Sequence, residues 1–305
     1  MPTLRQLEYL VALADLRHFG RAAQASHVSQ PSLSQQIRAL EQRLGTLLVD
    51  RHNSAVELTP IGREIAARAR DLLVGVEDIC ELARRAEEGI AGTIRLGVSP
   101  TLGPYLMSGV IAALHRDQPH LRLYIREGIP DEQALELARG QLDMLLSPLP
   151  IAGDNLAIEP LFREKLHLVA APDHALATKP EVQLADLQGA GILGLHASHH
   201  LHRQVAALCL DLGMTLLRDY EGTSLDSLRQ MAGMGFALTI LPELYIRSEV
   251  GGSAGVKVIE VAGWKAERSI AAVWRRSAAY ADAYRAIAEE IRRQGVAMMA
   301  AEAIA

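Results

Sequence analysis

At 305 residues the chain exceeds what most single cores hold, so two or three domains are expected. A hydrophobic share of 49% without any run of about eighteen apolar residues argues against a membrane-spanning helix, and the charge-studded N-terminus lacks the layout of a secretory signal, so a cytoplasmic protein is expected. The net charge of −5 argues against nucleic acid only until it is divided along the chain: residues 1–70 hold nine arginines against six acidic residues, and the acidic excess lies beyond them.

Leu4, Leu7, Leu10, Val11 and Ala14 recur at helical spacing on one face. A short helix is expected from Phe19 to Ala25, where Ala22 and Ala23 allow another helix to approach closely. After the turn HVSQ comes a third helix in PSLSQQIRALEQRLG, with Leu33, Ile37, Leu40 and Leu44 on one face, Pro31 in its first turn and Gly45 at its end. Its open face offers Gln30, Pro31, Ser32, Ser34, Gln35 and Arg38. Gln pairs bidentately with adenine and Arg with guanine in the major groove, while Ser and a helix N-terminus hold phosphate. Taken alone, such a face is the solvated side of an ordinary amphipathic helix. The short helix and turn before it, and two short strands expected between Leu48 and Thr59, make it part of a winged helix-turn-helix whose wing would lay Arg51 against the DNA backbone.

The run FGRAAQASHVSQPSLSQQIRALEQRLG followed by ELTPIG resembles the winged helix-turn-helix of LysR-type transcriptional regulators over about sixty ordered positions. Val49 departs from the Phe usual there, a change of packing. From Pro60 to about Glu88 a long helix is expected, with Ile65, Ala69, Leu72, Val76, Ile79, Ala83 and Ala86 stepping by 4 and 3 as in a two-helix seam. That seam reads as a dimerisation element, the alternative being that it packs on its own C-terminal domain. Cys80 lies beside it.

Beyond GIAGTIRLGVSP, strands alternate with helices: TIRLGV, PYLMSGVIAALHRDQP, LRLYIREG, DEQALELARGQ and LDMLLSP, then a second set from near Lys165 through KLHLVAAP, LLRDYEG, SLDSLRQMAGMG and ALTILPE, with RSIAAVWR and a last helix returning to the first half. The fold class expected is mixed: a winged helix-turn-helix over 1–60, a linker helix over 61–90, and an α/β domain over 91–305 made of two Rossmann-like, periplasmic-binding-protein-like subdomains, the first about 91–164 and 268–305, the second about 165–267. GVSPTLGPYL and MAGMGFALTILPE resemble the effector domain of the same family, in particular its OxyR-like peroxide-sensing branch.

Ligands in open α/β sheets sit beyond strand ends where helix N-termini gather. Ser99, Pro100 and Thr101 are therefore expected to form one lip of an effector site, and Ser198, His199, Thr223 and Ser224 the facing one, although hydroxyls at helix starts are also plain caps. The stretch GLHASHHLHRQVAALC adds His196, His200, His202 and Cys209. The resemblance implies two cysteines nine residues apart here, an attacking and a resolving one; this chain has Cys209 in the resolving position and His200 in the attacking one. Imidazole cannot form a sulfenic acid, so that intramolecular switch is not expected.

Three readings of the histidines stay open: a metal site, an imidazole (His199 above all, with His200 beside it) that binds an effector or responds to pH, and a structural helix entrance. Cys209 reads as a core thiol or a redox residue of another kind. The expected partners are double-stranded DNA, a small-molecule effector of which anions are one class, and further copies of the chain in a homodimer or homotetramer, with no membrane and no cofactor. A cytosolic enzyme on the α/β lobes is the rival, but no phosphate loop, nucleophile elbow or ordered triad supports it. A solute-binding protein would leave the first ninety residues unexplained.

Overall fold

The computed structural model describes residues 1–50, 56–88, 93–218, 222–250 and 255–300. The chain divides into two compact units, Met1–Gly89 and Ile90–Ala305.

The first unit opens with α1 (Leu4–Leu16), whose N-terminus is closed by a reciprocal Thr3–Gln6 capping box. Next come α2 (Phe19–Ala25) and α3 (Gln30–Leu44). Ser29 caps α3 through the Ser32 amide, Pro31 occupies its first turn, and Gly45 ends it at φ 70°, a left-handed conformation in which a side chain would be strained. Leu10, Leu13, Leu33, Ile37 and Leu40 meet in its core together with Ala22 and Ala23, so the expected close approach of α2 is present. Strands β1 (Val49–Asp50) and β2 (Glu57–Leu58) pair antiparallel as the wing. Buried Glu41 ties α3 to the wing by accepting the Leu48 and Val49 amides at 3.0 and 3.1 Å. Val49 is itself buried, so its smaller side chain is absorbed by the core.

Helix α4 (Pro60–Glu88) leaves the wing at a close contact: a Cβ on Gly62 would overlap the Leu48 carbonyl. Its first half lies against α1, with Ala66 and Ala69 buried and Arg70 paired with Asp15 at 2.6 Å. Further along, Leu72 and Ile79 remain 56% and 64% exposed. The seam positions Ala83 and Ala86 lie outside the described side chains, and Arg51 and residues 219–221 of LLRDYEG lie outside the described residues.

The second unit is built on one nine-stranded sheet. Lobe I has β3 (Thr93–Val98), α5 (Gly103–Asp117), β4 (Arg122–Glu127), α6 (Pro130–Ala138) and β5 (Met144–Pro148), with β4, β3 and β5 running parallel. The second set was expected to begin near Lys165. Instead β6 (Leu156–Ala170) is a single strand of 15 residues: its first part pairs with β13 (Glu267–Arg275) and its second with β10 (Leu238–Pro242), so it belongs to both lobes. Across EPLFREK the strand is irregular: its register against β13 shifts between Phe162 and Pro160, leaving Leu161 as the extra residue, yet the strand runs on through it.

Lobe II adds α7 (Ala175–Thr178), β7 (Val182–Gln183), β8 (Gly191–Leu193), α8 (His200–Leu212), β9 (Thr215–Leu216), α9 (Leu225–Gly233), α10 (Glu243–Glu249), β11 (Lys257–Ile259) and β12 (Val261–Ala262). At the start of LLRDYEG, β9 takes in Leu216, and among the described residues Leu217 and Arg218 are not strand. The last helix, α11 (Ala281–Ala300), returns to lobe I, where Ile287 and Ile291 join Leu96, Leu106 and Ile270 in the core. A second core gathers Leu168, Ile192, Leu201, Val205 and Ile240.

Candidate functional site

On α3 the apolar positions face inward and the polar ones are left outward. Gln30, Pro31, Gln35 and Arg38 are exposed, and Ser32 and Ser34 are half-buried at the edge of the same face. Among the described residues Gln35 and Arg38 have no hydrogen-bond partner. The neighbouring amides are by contrast engaged: Gln6 donates to Gln36 at 3.0 Å and fixes the back of the helix. A rigid helix thus presents one fork of amide donor and acceptor and one guanidinium at full reach, as major-groove reading requires.

In the second unit the residues expected to form one lip are closed into a buried knot. Ser99 and Thr101 are each 3% exposed, and their hydroxyls share a bond of 3.1 Å. The Arg268 guanidinium donates to the Thr101 hydroxyl at 2.8 Å and its carbonyl at 3.0 Å, and to Glu164 Oε1 at 2.7 Å. Glu164 Oε2 accepts the Leu244 amide at 3.0 Å, so this carboxylate joins β6, β13 and α10. Both members of the ion pair are fully buried. Ser99 N donates to Leu146 O, and Pro100 has no N–H, so this lip retains few donors for a ligand.

The histidine segment opens α8, and its four rings have four different environments. His196 Nδ1 accepts from Ser198 N at 3.3 Å and bonds the Ser198 hydroxyl at 2.8 Å, which puts the ring proton on Nε2. His202 Nδ1 donates to the Leu195 carbonyl at 2.6 Å. His199 is 3% exposed, its Nε2 is buried without a hydrogen-bond partner, and burial first, then the nearby His196 and His202, push its pKa down.

His200 reaches out of lobe II: Nε2 lies 2.9 Å from Asp131 Oδ1 at the start of α6, and Nδ1 lies 3.2 Å from the Pro148 carbonyl at the end of β5. Arg203 donates to both Asp131 oxygens at 2.7 and 3.2 Å, and that bond, followed by the one from His200, holds the carboxyl below its ordinary range against the opposing effect of burial.

Thr223 is exposed, and Ser224 caps α9 through the Ser227 amide; His196 N donates to Gly222 O, which brings both alongside the histidines. A cavity of about 260 Å³ beside the segment, lined by Ala197, His202, Leu216 and Arg218 among others, lies within lobe II and not between the lobes. Among the described residues no group of three or more His, Cys, Asp or Glu is placed to hold a metal ion, and no helix is long and apolar enough to cross a membrane. Cys209 is buried among Leu201 and Val205, and burial raises its thiol pKa. It stands nine residues after His200 on one helix, roughly 13 Å along the axis. A disulfide needs Cα atoms within about 7 Å, so these two positions could be bridged only if α8 unwound.

Sequence reasoning missed Asp131, Arg203, Glu164 and Arg268. For Asp131 the available signal was an acidic residue straight after a helix-opening Pro130; Glu164 and Arg268 stand beside other charges in their strands and carried no local signal.

The chain matches two family models: the bacterial regulatory helix-turn-helix protein, lysR family, over residues 4–63, and the LysR substrate binding domain over residues 87–295. It is 36% identical over 289 residues to the DNA-binding transcriptional dual regulator OxyR of Escherichia coli strain K12, covering 95% of this chain and 94% of that one. It is 31% identical to the HTH-type transcriptional regulator EstR of Acinetobacter baylyi, covering 96% and 97%. A full-length OxyR variant from Pseudomonas aeruginosa superposes with a TM-score of 0.70 at 33% identity, covering 96% of each chain. The outward polar face of α3, the wing, the two-lobed second unit and these matches together make the chain a member of the LysR family of transcriptional regulators, similar to its OxyR-type members.

Proposed function

We propose that this regulator binds its promoter sequence-specifically as a dimer or tetramer and responds to a small-molecule effector at the joint between its lobes. The observation that carries the DNA reading is the pair Gln35 and Arg38, exposed and without a side-chain partner among the described residues, on a helix anchored by the Ser29 cap, Gln36 and Glu41. Ser32 and Ser34, beside the helix N-terminus, are assigned to phosphate, and Gln30 and Pro31 to the approach of that first turn to the backbone. Arg51 is assigned to the backbone beside the wing. The exposed Leu72 and Ile79 support self-association along α4, because an apolar stripe of that length is seldom left to water.

For the effector, the supporting observation is His199 Nε2, a buried polar atom without a partner in a segment beside the lobe boundary. Ser198, His200, Thr223 and Ser224 lie close to it in the chain or through backbone bonds, and Ser99, Pro100 and Thr101 form the opposing wall. A small polar or anionic molecule that hydrogen-bonds His199 would shift the population between two lobe arrangements and so the bend or spacing imposed on DNA.

The test is quantitative DNA binding by anisotropy with the full chain and a duplex selected from a random pool. Replacing Gln35 and Arg38 by Ala should each weaken specific binding by about 1–3 kcal/mol and relax specificity. Unchanged affinity and selectivity would remove α3 from the role of reader. For the effector arm, calorimetry against a panel of small carboxylates should give binding that is lost in His199→Ala; binding equal in the two proteins would remove His199.

A further inference from the structure

Lobe II holds the Asp131 carboxylate of lobe I as it would hold a small anion. The Arg203 guanidinium takes both oxygens in a fork, at 2.7 and 3.2 Å, and His200 Nε2 lies 2.9 Å from Oδ1. Asp131 stands in the first turn of α6 while its carboxylate meets the first turn of α8, so two helix N-termini favour a negative charge at this point. Neither helix start meets that preference with a cap of its own: Ile129 has no side-chain acceptor for α6, and His199 makes no cap bond to α8.

Burial and donor count show what this contact can do. The Asp131 and Arg203 side chains are 56% and 49% exposed, and an ion pair that open to water is weak. Arg203 uses one hydrogen on each terminal nitrogen; its other three N–H groups have no partner among the described residues, so a second carboxylate can be engaged before the first lets go. Simple withdrawal of Asp131 is opposed, because His200 is 3% exposed and its Nε2 would be left as a buried polar atom without a partner. An incoming oxygen removes that penalty. One residue earlier, His199 Nε2 is already buried and unpartnered, a bond that Asp131 does not make and a larger ligand could. The contact is hard to empty and easy to exchange, and its planar fork suits a carboxylate.

We infer that Arg203 and His200 form the carboxylate-binding end of the effector site, and that Asp131 of lobe I fills it as a tethered stand-in. A carboxylate effector then binds by displacing Asp131, and in doing so unfastens lobe I from lobe II. This rests on the effector reading above and adds to it the ligand class and a built-in competitor.

A tethered competitor has a quantitative signature. The apparent affinity is the intrinsic one reduced by the fraction of molecules in which the site is open, so removing the competitor tightens binding by the inverse of that fraction. With Asp131 docked in about nine molecules of ten or more, the gain is at least about tenfold.

Calorimetry of the full chain with acetate, succinate and benzoate at constant pH and ionic strength reads this gain, with sulfate as the control anion. At least one of the carboxylates should bind Asp131→Ala at least about tenfold more tightly than the wild type, with Asp131→Asn in between, and Arg203→Gln should abolish binding with or without the Asp131 change. All of these replace half-exposed side chains, so the variants are expected to fold, and an unchanged circular-dichroism melt checks it. Binding by Asp131→Ala that is equal to or weaker than wild type, binding that survives Arg203→Gln, or sulfate preferred over every carboxylate would each overturn the proposal, as would no binding of any of the three to Asp131→Ala. Carboxylate binding that is lost in His199→Ala but indifferent to Asp131 and Arg203 would also overturn it and leave the effector reading standing. Binding that follows Asp131 and Arg203 while DNA affinity stays constant would uphold the site and overturn the effector reading.

Discussion

The recognition helix and the lobe joint are both rich in polar side chains, yet those side chains are used in opposite ways. On α3, the Gln35 and Arg38 side chains are exposed and bonded to nothing among the described residues, and the helix beneath them is locked by Glu41, Gln6 and the Ser29 cap. At the joint, Ser99, Thr101, Arg268 and Glu164 are bonded as one set and His200 and Asp131 as another. A free polar group on a rigid support is ready for a partner, whereas a satisfied buried one fixes an arrangement and becomes functional when that arrangement changes.

The largest effect that sharpens this contrast should come from the buried ion pair. Replacing Arg268 by Met would leave Glu164 charged and unmatched in a dry site, and unfolding of the second unit should be easier by about 3–5 kcal/mol in denaturant melts. Replacing both Arg268 and Glu164 by apolar residues of similar volume should recover much of that loss; no recovery would show that the Thr101 and Leu244 bonds matter more than the pair. The losses of about 1–3 kcal/mol in DNA affinity from Gln35→Ala and Arg38→Ala should come without any change in thermal stability, since neither side chain is bonded to any described residue. A fall in Tm would mean that they support the fold after all.

Of similar size, Gly62→Ala should destabilise the wing junction by about 1–3 kcal/mol, because its Cβ would meet the Leu48 carbonyl backbone and not a yielding side chain.

The smaller effects depend on pH and chemistry. Glu243, at the start of α10, pairs with His167 and also with Arg247, and the His167 bond above all lowers its pKa to about 2. Its depressed pKa contributes stability present above its ordinary value and lost as pH falls toward 2. Stability curves of the wild type and Glu243→Gln should therefore lie a constant distance apart above about pH 5 and converge in acid; parallel curves down to pH 2 would contradict the pairing. With a thiol reagent, exposed Cys80 should react rapidly and buried Cys209 slowly, because burial raises the Cys209 pKa and limits access. Equal rates would mean that α8 opens readily.

Much of the fold was legible because its signals are local. The faces of α1 and α3, the Pro31 start, the Gly45 stop and the turn before α3 all lie within a few residues of what they determine. The reading side chains on α3 were legible for the same reason, since an outward position on an amphipathic helix follows from its apolar stripe. The joint was only half legible. His200 stood out in the sequence, but its partners Asp131 and Pro148 are 69 and 52 residues away, and Arg268 meets Thr101 across 167. Spacing along the chain carries no sign of such pairs. Ser99 and Thr101 were expected as a ligand lip because they follow a strand and precede a helix; the structure engages the Thr101 hydroxyl with Arg268 and the Ser99 hydroxyl with Thr101, which no local pattern foretells.

The most direct test of the central claim, that this is a DNA-reading regulator whose specificity lies on α3, is selection of duplexes from a random pool by the purified full chain, run in parallel with the Gln35→Ala, Arg38→Ala double variant. The account predicts that the wild type enriches one two-fold-symmetric motif and that the double variant enriches none. Enrichment of the same motif by both proteins would contradict it.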